Sequence, residues 1–191
     1  LALSEALGRK EGMANQYGNM GNVYRVRGEL DAALKMHQHS LSLNEALGRK
    51  EGMANQYGNM GLIYQTRGEL DTALDMYQQS LALSEALGRK EGMANQYGNI
   101  GNVYRVRGEL DTALEMFQKS LALSEALGRK EGMANQYGNI GHIYRERGEL
   151  DRAKTMWLRS LALFEEVGSA PQIKQTKALL NSLAEPIPED D

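Results

Sequence analysis

The sequence predicts an all-α solenoid of stacked antiparallel helix pairs, and three observations carry that prediction. A gapless period of 40 residues runs through most of the chain, apolar residues recur at spacings of three and four within each period, and glycine falls where helices must end. Leu1 to Ser40 aligns with Leu41 to Ser80, Leu81 to Ser120 and Leu121 to Ser160. The first and third copies differ only at Met20/Ile100, Ala32/Thr112, Lys35/Glu115, His37/Phe117 and His39/Lys119. Units of this size bury their apolar faces only against neighbouring copies.

Within a copy, Met13, Tyr17, Met20 and Tyr24 form one stripe of a first helix, A, over about Glu11 to Arg27. Leu30, Ala33 or Leu34, His37, Leu41 and Leu47 define a second, B, from about Glu29 to Leu47, with Glu29 and Asp31 at its positive dipole end. Gly28 separates the two. Gly48 follows helix B at a C-terminal cap position, where glycine takes a positive φ at little steric cost.

The expected organisation is a partial repeat over 1–10, repeats over 11–50, 51–90, 91–130 and 131–168, a capping helix over 169–185 and an acidic tail over 186–191. Leu1 to Leu7 match the second half of helix B, so the sequence reads as a piece of a longer array whose first helix A is missing. Leu1, Leu3 and Leu7 are then an apolar end open to self-association. At the other end Phe164 replaces the Ser or Asn of the other copies. Ser169, Ala170, Pro171 and Gln172 read as a helix start, followed by Ile173, Thr176, Leu180 and Leu183 at helical spacing.

Composition narrows the function. A net charge of −3 supplies no field for nucleic acid, and no run approaches the roughly 20 apolar residues of a membrane span. Cysteine is absent, which excludes disulfides, thiolate metal sites and thiol catalysis, and the chain reads as cytoplasmic. His37, His39 and His142 occupy three different repeat positions, so they make no ligand set, and His37 aligns with Tyr77, Phe117 and Trp157 as a core residue. The Gly48 to Gly52 link lacks the Gly-Lys-Ser/Thr order of a phosphate loop. No catalytic group, metal or cofactor is expected, and the sequence predicts a protein that is not an enzyme.

The run Tyr17, Met20-Gly21, Tyr24, Gly28, Leu30, Ala33, residue 37 and Ser40 resembles the tetratricopeptide repeat consensus. Ser40 stands where that family usually has Ala, and Glu45 where it often has Pro, so helix B is lengthened. Asn19-Met20-Gly21-Asn22-Val23-Tyr24 is similar to the elongated repeats of the adaptor LGN, kinesin light chain and bacterial sensor proteins. The resemblance implies a right-handed superhelix whose concave groove is lined by helix A and binds a protein or peptide.

The residues expected to line that groove are Asn15, Gly18, Asn22 and Arg25 in the first copy and Asn55, Gly58, Leu62 and Gln65 in the second. The third copy supplies Asn95, Gly98, Asn102 and Arg105, and the fourth Asn135, Gly138, His142 and Arg145. Asparagine is a poor helix former, yet its carboxamide pairs with both N–H and C=O of an extended peptide. For Asn19 the alternative is a bond that stitches adjacent copies. Gly21 fits a close helix contact, whereas Gly18 either admits a neighbouring helix or leaves floor for a ligand. Arg at residues 25 and 27 presents a fork to carboxylates, which points to an acidic peptide; the alternative is that these arginines complement the helix C-terminal dipole and pair with the following Glu29. The alternative function is a structural array that self-associates, without a dedicated peptide ligand.

Overall fold

The computed structural model describes residues 2–183, with side chains from residue 7 onward. Among the described residues there are nine helices and no strand: α1 (Ala2–Val26), α2 (Leu30–Ala46), α3 (Lys50–Thr66), α4 (Leu70–Ala86), α5 (Lys90–Val106), α6 (Leu110–Ala126), α7 (Lys130–Glu146), α8 (Leu150–Val167) and α9 (Ala170–Ser182). The chain divides into two compact units, Leu1–Asn99 and Ile100–Asp191, taken separately below. Both are all-α and built from consecutive helix pairs, the tetratricopeptide-like solenoid arrangement.

Every helix pair is closed by the same turn. Gly28 has φ 78° and Gly48 φ 65°, a left-handed conformation that a Cβ would strain. The Gly28 N–H donates to the Arg25 carbonyl (3.0 Å) and the Glu29 N–H to the Tyr24 carbonyl (2.9 Å). Gly48 and Arg49 donate likewise to Glu45 (3.0 Å) and Asn44 (2.8 Å). This paired pattern satisfies two carbonyls at each helix end. Gly8, at the same repeat position as Gly48, behaves otherwise: it lies inside α1, which runs unbroken from Ala2 to Val26. The expected boundary between a partial helix B and the first helix A is therefore not a turn. Leu7 on this segment is 46% exposed. Leu1, the Leu3 side chain and residues 184–191, with the expected tail, lie outside the described residues.

In the first unit a buried cluster joins Ala33 and Leu34 of α2 to Met60 and Ile63 of α3, with Tyr24, Leu41, Tyr57 and Tyr64 packed around it. In the second unit Ala113 and Phe117 of α6 meet Ile140 and Ile143 of α7 in the same way. Removing a side chain such as Ile63 from water stabilises the fold by about 1.5–3 kcal/mol. The stripe expected from the sequence is broadened: Ala14, Ala54, Ala94 and Ala134 and the residues at positions 63, 103 and 143 are deeply buried beside Met60, Ile100 and Ile140, while Met13 is exposed and Met20, in the first copy, is exposed as well. The reason is that helix A is gripped on two sides. Its small residues face the helix B of their own copy, and Met60 and Ile63 face the helix B of the copy before.

Own-copy packing depends on absent side chains. A Cβ on Gly21 would stand 2.6 Å from the His37 ring, and one on Gly61 2.5 Å from the Tyr77 ring. In the second unit a Cβ added to Gly101 would stand 2.7 Å from the Phe117 ring, and one on Gly141 2.4 Å from the Trp157 ring. Ser in place of the family's Ala is also explained: the Ser40, Ser80 and Ser160 hydroxyls donate to the carbonyls of Ala14 (2.7 Å), Ala54 (2.8 Å) and Ala134 (2.8 Å). Each fastens helix B to helix A at a buried acceptor.

Ser169 is the N-cap of α9, with Pro171 in its first turn. The Ser169 hydroxyl donates to the Gln172 side chain (2.6 Å). α9 packs on α8, and Lys177 pairs with Glu165 (2.9 Å) at the repeat positions where Tyr137 bonds Glu125 (3.3 Å). It therefore takes the place of a further helix A. Ala178 and Asn181 stand where helix A has Gly138 and Gly141, so the face that would receive another helix B is filled.

Candidate peptide-binding surface

The expected site residues sit on helices α1, α3, α5 and α7, and the structure sorts them by burial. Asn15, Asn55, Asn95 and Asn135 are exposed, each one residue beyond a buried alanine. Asn15 accepts a hydrogen bond from Arg49 (3.3 Å), which also pairs with Glu11 (3.1 Å). Asn22, Leu62, Asn102 and His142 are half-buried.

The glycines belong to packing. Gly18, Gly58 and Gly98 are buried and Gly138 is half-buried. A Cβ on Gly18 would lie 3.3 Å from the Gln56 amide and 3.5 Å from the Ser40 hydroxyl, and one on Gly58 3.1 Å from Gln96. These positions let the next helix A approach, so Gly18 and Gly58 offer no open floor to a ligand. Gly138, facing Ser160 at 3.5 Å, is similarly occupied from its own copy.

The glutamines are the residues that sequence reasoning missed. Gln56, Gln96 and Gln136 are buried. The Gln56 carbonyl is 2.8 Å from His37 Nδ1, linking α3 to the preceding α2. Asn99 and Asn139 donate to Gln96 and Gln136 (3.3 Å each) one turn earlier on their own helices. Gln56 thus stitches two copies, while Asn99 and Asn139 hold the equivalent glutamines Gln96 and Gln136 on their own helices. The available signal was a polar residue repeated without change two positions after a core alanine.

Position 25 varies in partner as well as identity. Gln65 accepts the Tyr77 hydroxyl (2.7 Å). Arg105 pairs with Glu146 (2.7 Å), and Arg145 lies 5.6 Å from the centre of the Trp157 ring. Arg25 is half-buried, its Nε is buried without an acceptor, and no carboxylate pairs with it among the described residues. Glu146 is the copy-four equivalent of Thr66, which instead bonds the Leu62 carbonyl (2.8 Å). Arg25 therefore lacks the acid that its counterpart Arg105 has.

Burial and charge shape the titratable groups here. Burial is the main cause that holds His37 below its ordinary pKa; the Gln56 bond opposes this and the Arg25 charge adds to it. His37 is fully buried, as a core residue should be, and its Nε2 has no partner. Tyr77 is pushed well above the tyrosine range by burial, against the pull of Arg25. His142, edge-on to Trp157 at 5.3 Å, is lowered by burial and then by Arg145 and Arg105. Among the described residues no group of His, Asp and Glu has metal-site geometry, and no helix is long and apolar enough to cross a membrane.

Arg67 and Arg147, the equivalents of Arg27, serve the stack. Arg67 pairs with Asp31 of the preceding copy and, at 3.7 Å, with Glu69; Arg147 does the same with Asp111 and, at 3.9 Å, with Glu149. The expected pairing with the following glutamate is present, and the aspartate pairing is additional.

Comparison with known proteins agrees with this architecture. The family model described as the MalT-like TPR region matches residues 52–184, and a tetratricopeptide repeat model matches residues 12–86. No curated protein sequence matches the chain. Among solved structures, BtubC (BKLC) from P. vanneervenii is similar with a TM-score of 0.72 at 16% identity, covering 96% of this chain and 86% of that one. Aspartyl phosphate phosphatase F from Bacillus subtilis is similar with a TM-score of 0.83 at 14% identity, covering 88% of this chain and 44% of that one. At such identities the likeness is one of fold. With the repeat turns, the glycine-aromatic contacts and a family match over more than half its length, the chain belongs to the tetratricopeptide repeat family, whose repeats mediate protein–protein interaction.

Proposed function

We propose that the protein is an interaction module that binds an extended, acidic peptide segment along the exposed face of helix A, in the cytoplasm and without catalysis. The observation that carries this reading is Arg25: a half-buried guanidinium with a buried, unpartnered Nε and no protein carboxylate, where the equivalent Arg105 holds Glu146 at 2.7 Å. A peptide Asp or Glu supplies the missing acceptor, and charge-assisted bonds of this kind are the strong ones. Asn15, Asn22 and Asn55 lie on the same helix faces of the first unit and pair with peptide amides. In the second unit His142, Asn135 and Arg145 form the corresponding face of α7. A rigid repeat surface adds little ordering cost to binding.

The test is a fluorescence-anisotropy screen of acidic, neutral and basic extended peptides. Acidic peptides should bind, Arg25→Ala should weaken them by roughly tenfold, and Thr66→Glu should do the same by filling the site from within. Equal affinity for all charge classes, or indifference to both substitutions, would defeat the assignment.

A further inference from the structure

Positions 25 and 37 of the repeat lie against each other across a helix pair. The Tyr77 hydroxyl donates to Gln65 Oε1 at 2.7 Å in the second copy, and Arg145 lies 5.6 Å from the centre of the Trp157 ring in the fourth. Read in pairs, the copies carry Arg25 with His37, Gln65 with Tyr77, Arg105 with Phe117 and Arg145 with Trp157. The second copy alone gives up the fixed charge at the first position, and it alone brings a hydroxyl to the second. Tyr77 is fully buried on α4, while Gln65, in the last turn of α3, is half-buried. Packing does not demand the hydroxyl, because Phe117 fills the same place without one and is equally buried.

A carboxamide tells an acid from an amide only if its own two ends are fixed. Free to turn, Gln65 would offer oxygen or NH2 to a ligand with equal ease. The bond to Tyr77 removes that freedom. Burial keeps the phenol protonated and hence a donor, so Oε1 is held towards it. Nε2, with two N–H groups and no acceptor among the described residues, is the end left for a ligand. Arg25 stands beside this pair: α1 packs on α3, and the Arg25 charge acts on the Tyr77 hydroxyl. The equivalent Arg105 reaches Glu146, the last residue of α7, at 2.7 Å. At that place α3 has Thr66, whose hydroxyl is engaged by the Leu62 carbonyl (2.8 Å), and one residue earlier the Gln65 amide.

We propose, resting on the reading of Arg25 as a carboxylate receptor, that Gln65 completes that receptor and that Tyr77 is its positioning residue. One oxygen of a ligand carboxylate takes N–H from Arg25, the other takes N–H from Gln65 Nε2, and the Tyr77 bond keeps the Gln65 oxygen turned away. The site is then made of donors only. An ionised carboxylate, which only accepts, satisfies it on both oxygens, whereas a carboxamide of the same shape sets its own NH2 against an N–H. Specificity for Asp or Glu over Asn or Gln thus arises from a clash of like donors as well as from attraction to the guanidinium.

The experiment is anisotropy titration of the full chain with two labelled, end-blocked peptides, one of alternating glutamate and serine and the other of alternating glutamine and serine. The wild type should favour the glutamate peptide by roughly tenfold or more. Tyr77→Phe should narrow that ratio several-fold, chiefly by tighter binding of the glutamine peptide, since Gln65 can then turn its oxygen to the ligand. A loss of folding weakens both peptides alike and leaves the ratio where it was. Gln65→Glu keeps an acceptor for the Tyr77 hydroxyl and should abolish binding of the glutamate peptide, by pairing with Arg25 as Glu146 pairs with Arg105. Binding that is weakened by Arg25→Ala, yet keeps its ratio in Tyr77→Phe or survives Gln65→Glu, overturns the roles of Gln65 and Tyr77 and leaves Arg25 acting alone. No preference for the glutamate peptide, or indifference to Arg25→Ala, defeats the acidic-peptide reading and this inference with it.

Discussion

α1 and α3 carry the same helix A sequence from Lys10/Lys50 onward except at Asn22/Leu62, Val23/Ile63, Arg25/Gln65 and Val26/Thr66, yet one flank is bare in α1 and buried in α3. Nothing in the residues themselves makes Met60 a core residue and Met20 a surface one. The preceding helix B does so. In a repeat protein, burial belongs to the neighbour relation, and identical side chains acquire different energetic roles by position in the stack.

That comparison breaks most sharply at the paired methionines. Met60→Asp should cost about 3–5 kcal/mol, because it sets an unpaired carboxylate in the α2/α3 cluster, while Met20→Asp should stay within about 0.5 kcal/mol. Urea unfolding of the two variants reads the difference, and equal losses would mean that the α1 flank is covered after all. A smaller contrast is expected at the glycine slots. Gly52→Ala forces Asn44, whose Oδ1 lies 2.0 Å from the added Cβ, to move, and should destabilise by about 1–2 kcal/mol. Gly12→Ala meets nothing within 4 Å and should stabilise by roughly 0.5–1 kcal/mol through the lost chain entropy of glycine. Opposite signs in thermal melting support the neighbour account; like signs refute it.

The smallest effect concerns pH and contrasts His37 with Phe117 at the same repeat position. The folded-state pKa of His37 is lowered from 6.5. The unfolded chain therefore takes up the proton first, and stability falls as pH drops below 6.5, levelling off beneath the folded value. His142 is shifted in the same direction and contributes a loss of the same sign. His37→Phe should remove only its own share, so the drop in melting temperature between pH 7.5 and 5.5 should shrink without vanishing. An unchanged drop would place the titration elsewhere.

The fold was legible because the period is nearly perfect. Gly28, Gly48 and Ser169 mark turns that the backbone makes, and Gly21 marks a close contact of helices A and B, which the structure places at residue 37. What escaped notice was contact between copies. Periodicity places Met13 and Tyr17 on an apolar stripe but does not reveal that helix A is held from two sides, which draws Ala14 and Val103 inward and leaves Met13 at the rim. Gln56 and Asn44 look like surface residues in sequence, yet both are buried between helices. Of the candidate site, the exposed asparagines and position 25 could be proposed from spacing. The internal acid that occupies Arg105 could not, because Glu146 lies one copy away and is adjacent only in the folded stack.

Asn181 gives the array a direction. A copy of the repeat inserted between existing copies would find glycine opposite its aromatic residue and an alanine-leucine pair like Ala33-Leu34 to cover its helix A, so internal duplication preserves the fold at every step. A copy appended after α9 would meet an amide where its aromatic ring must lie. Duplication between existing copies is thus accommodated, whereas a helix B set directly against α9 would need a small residue in place of Asn181.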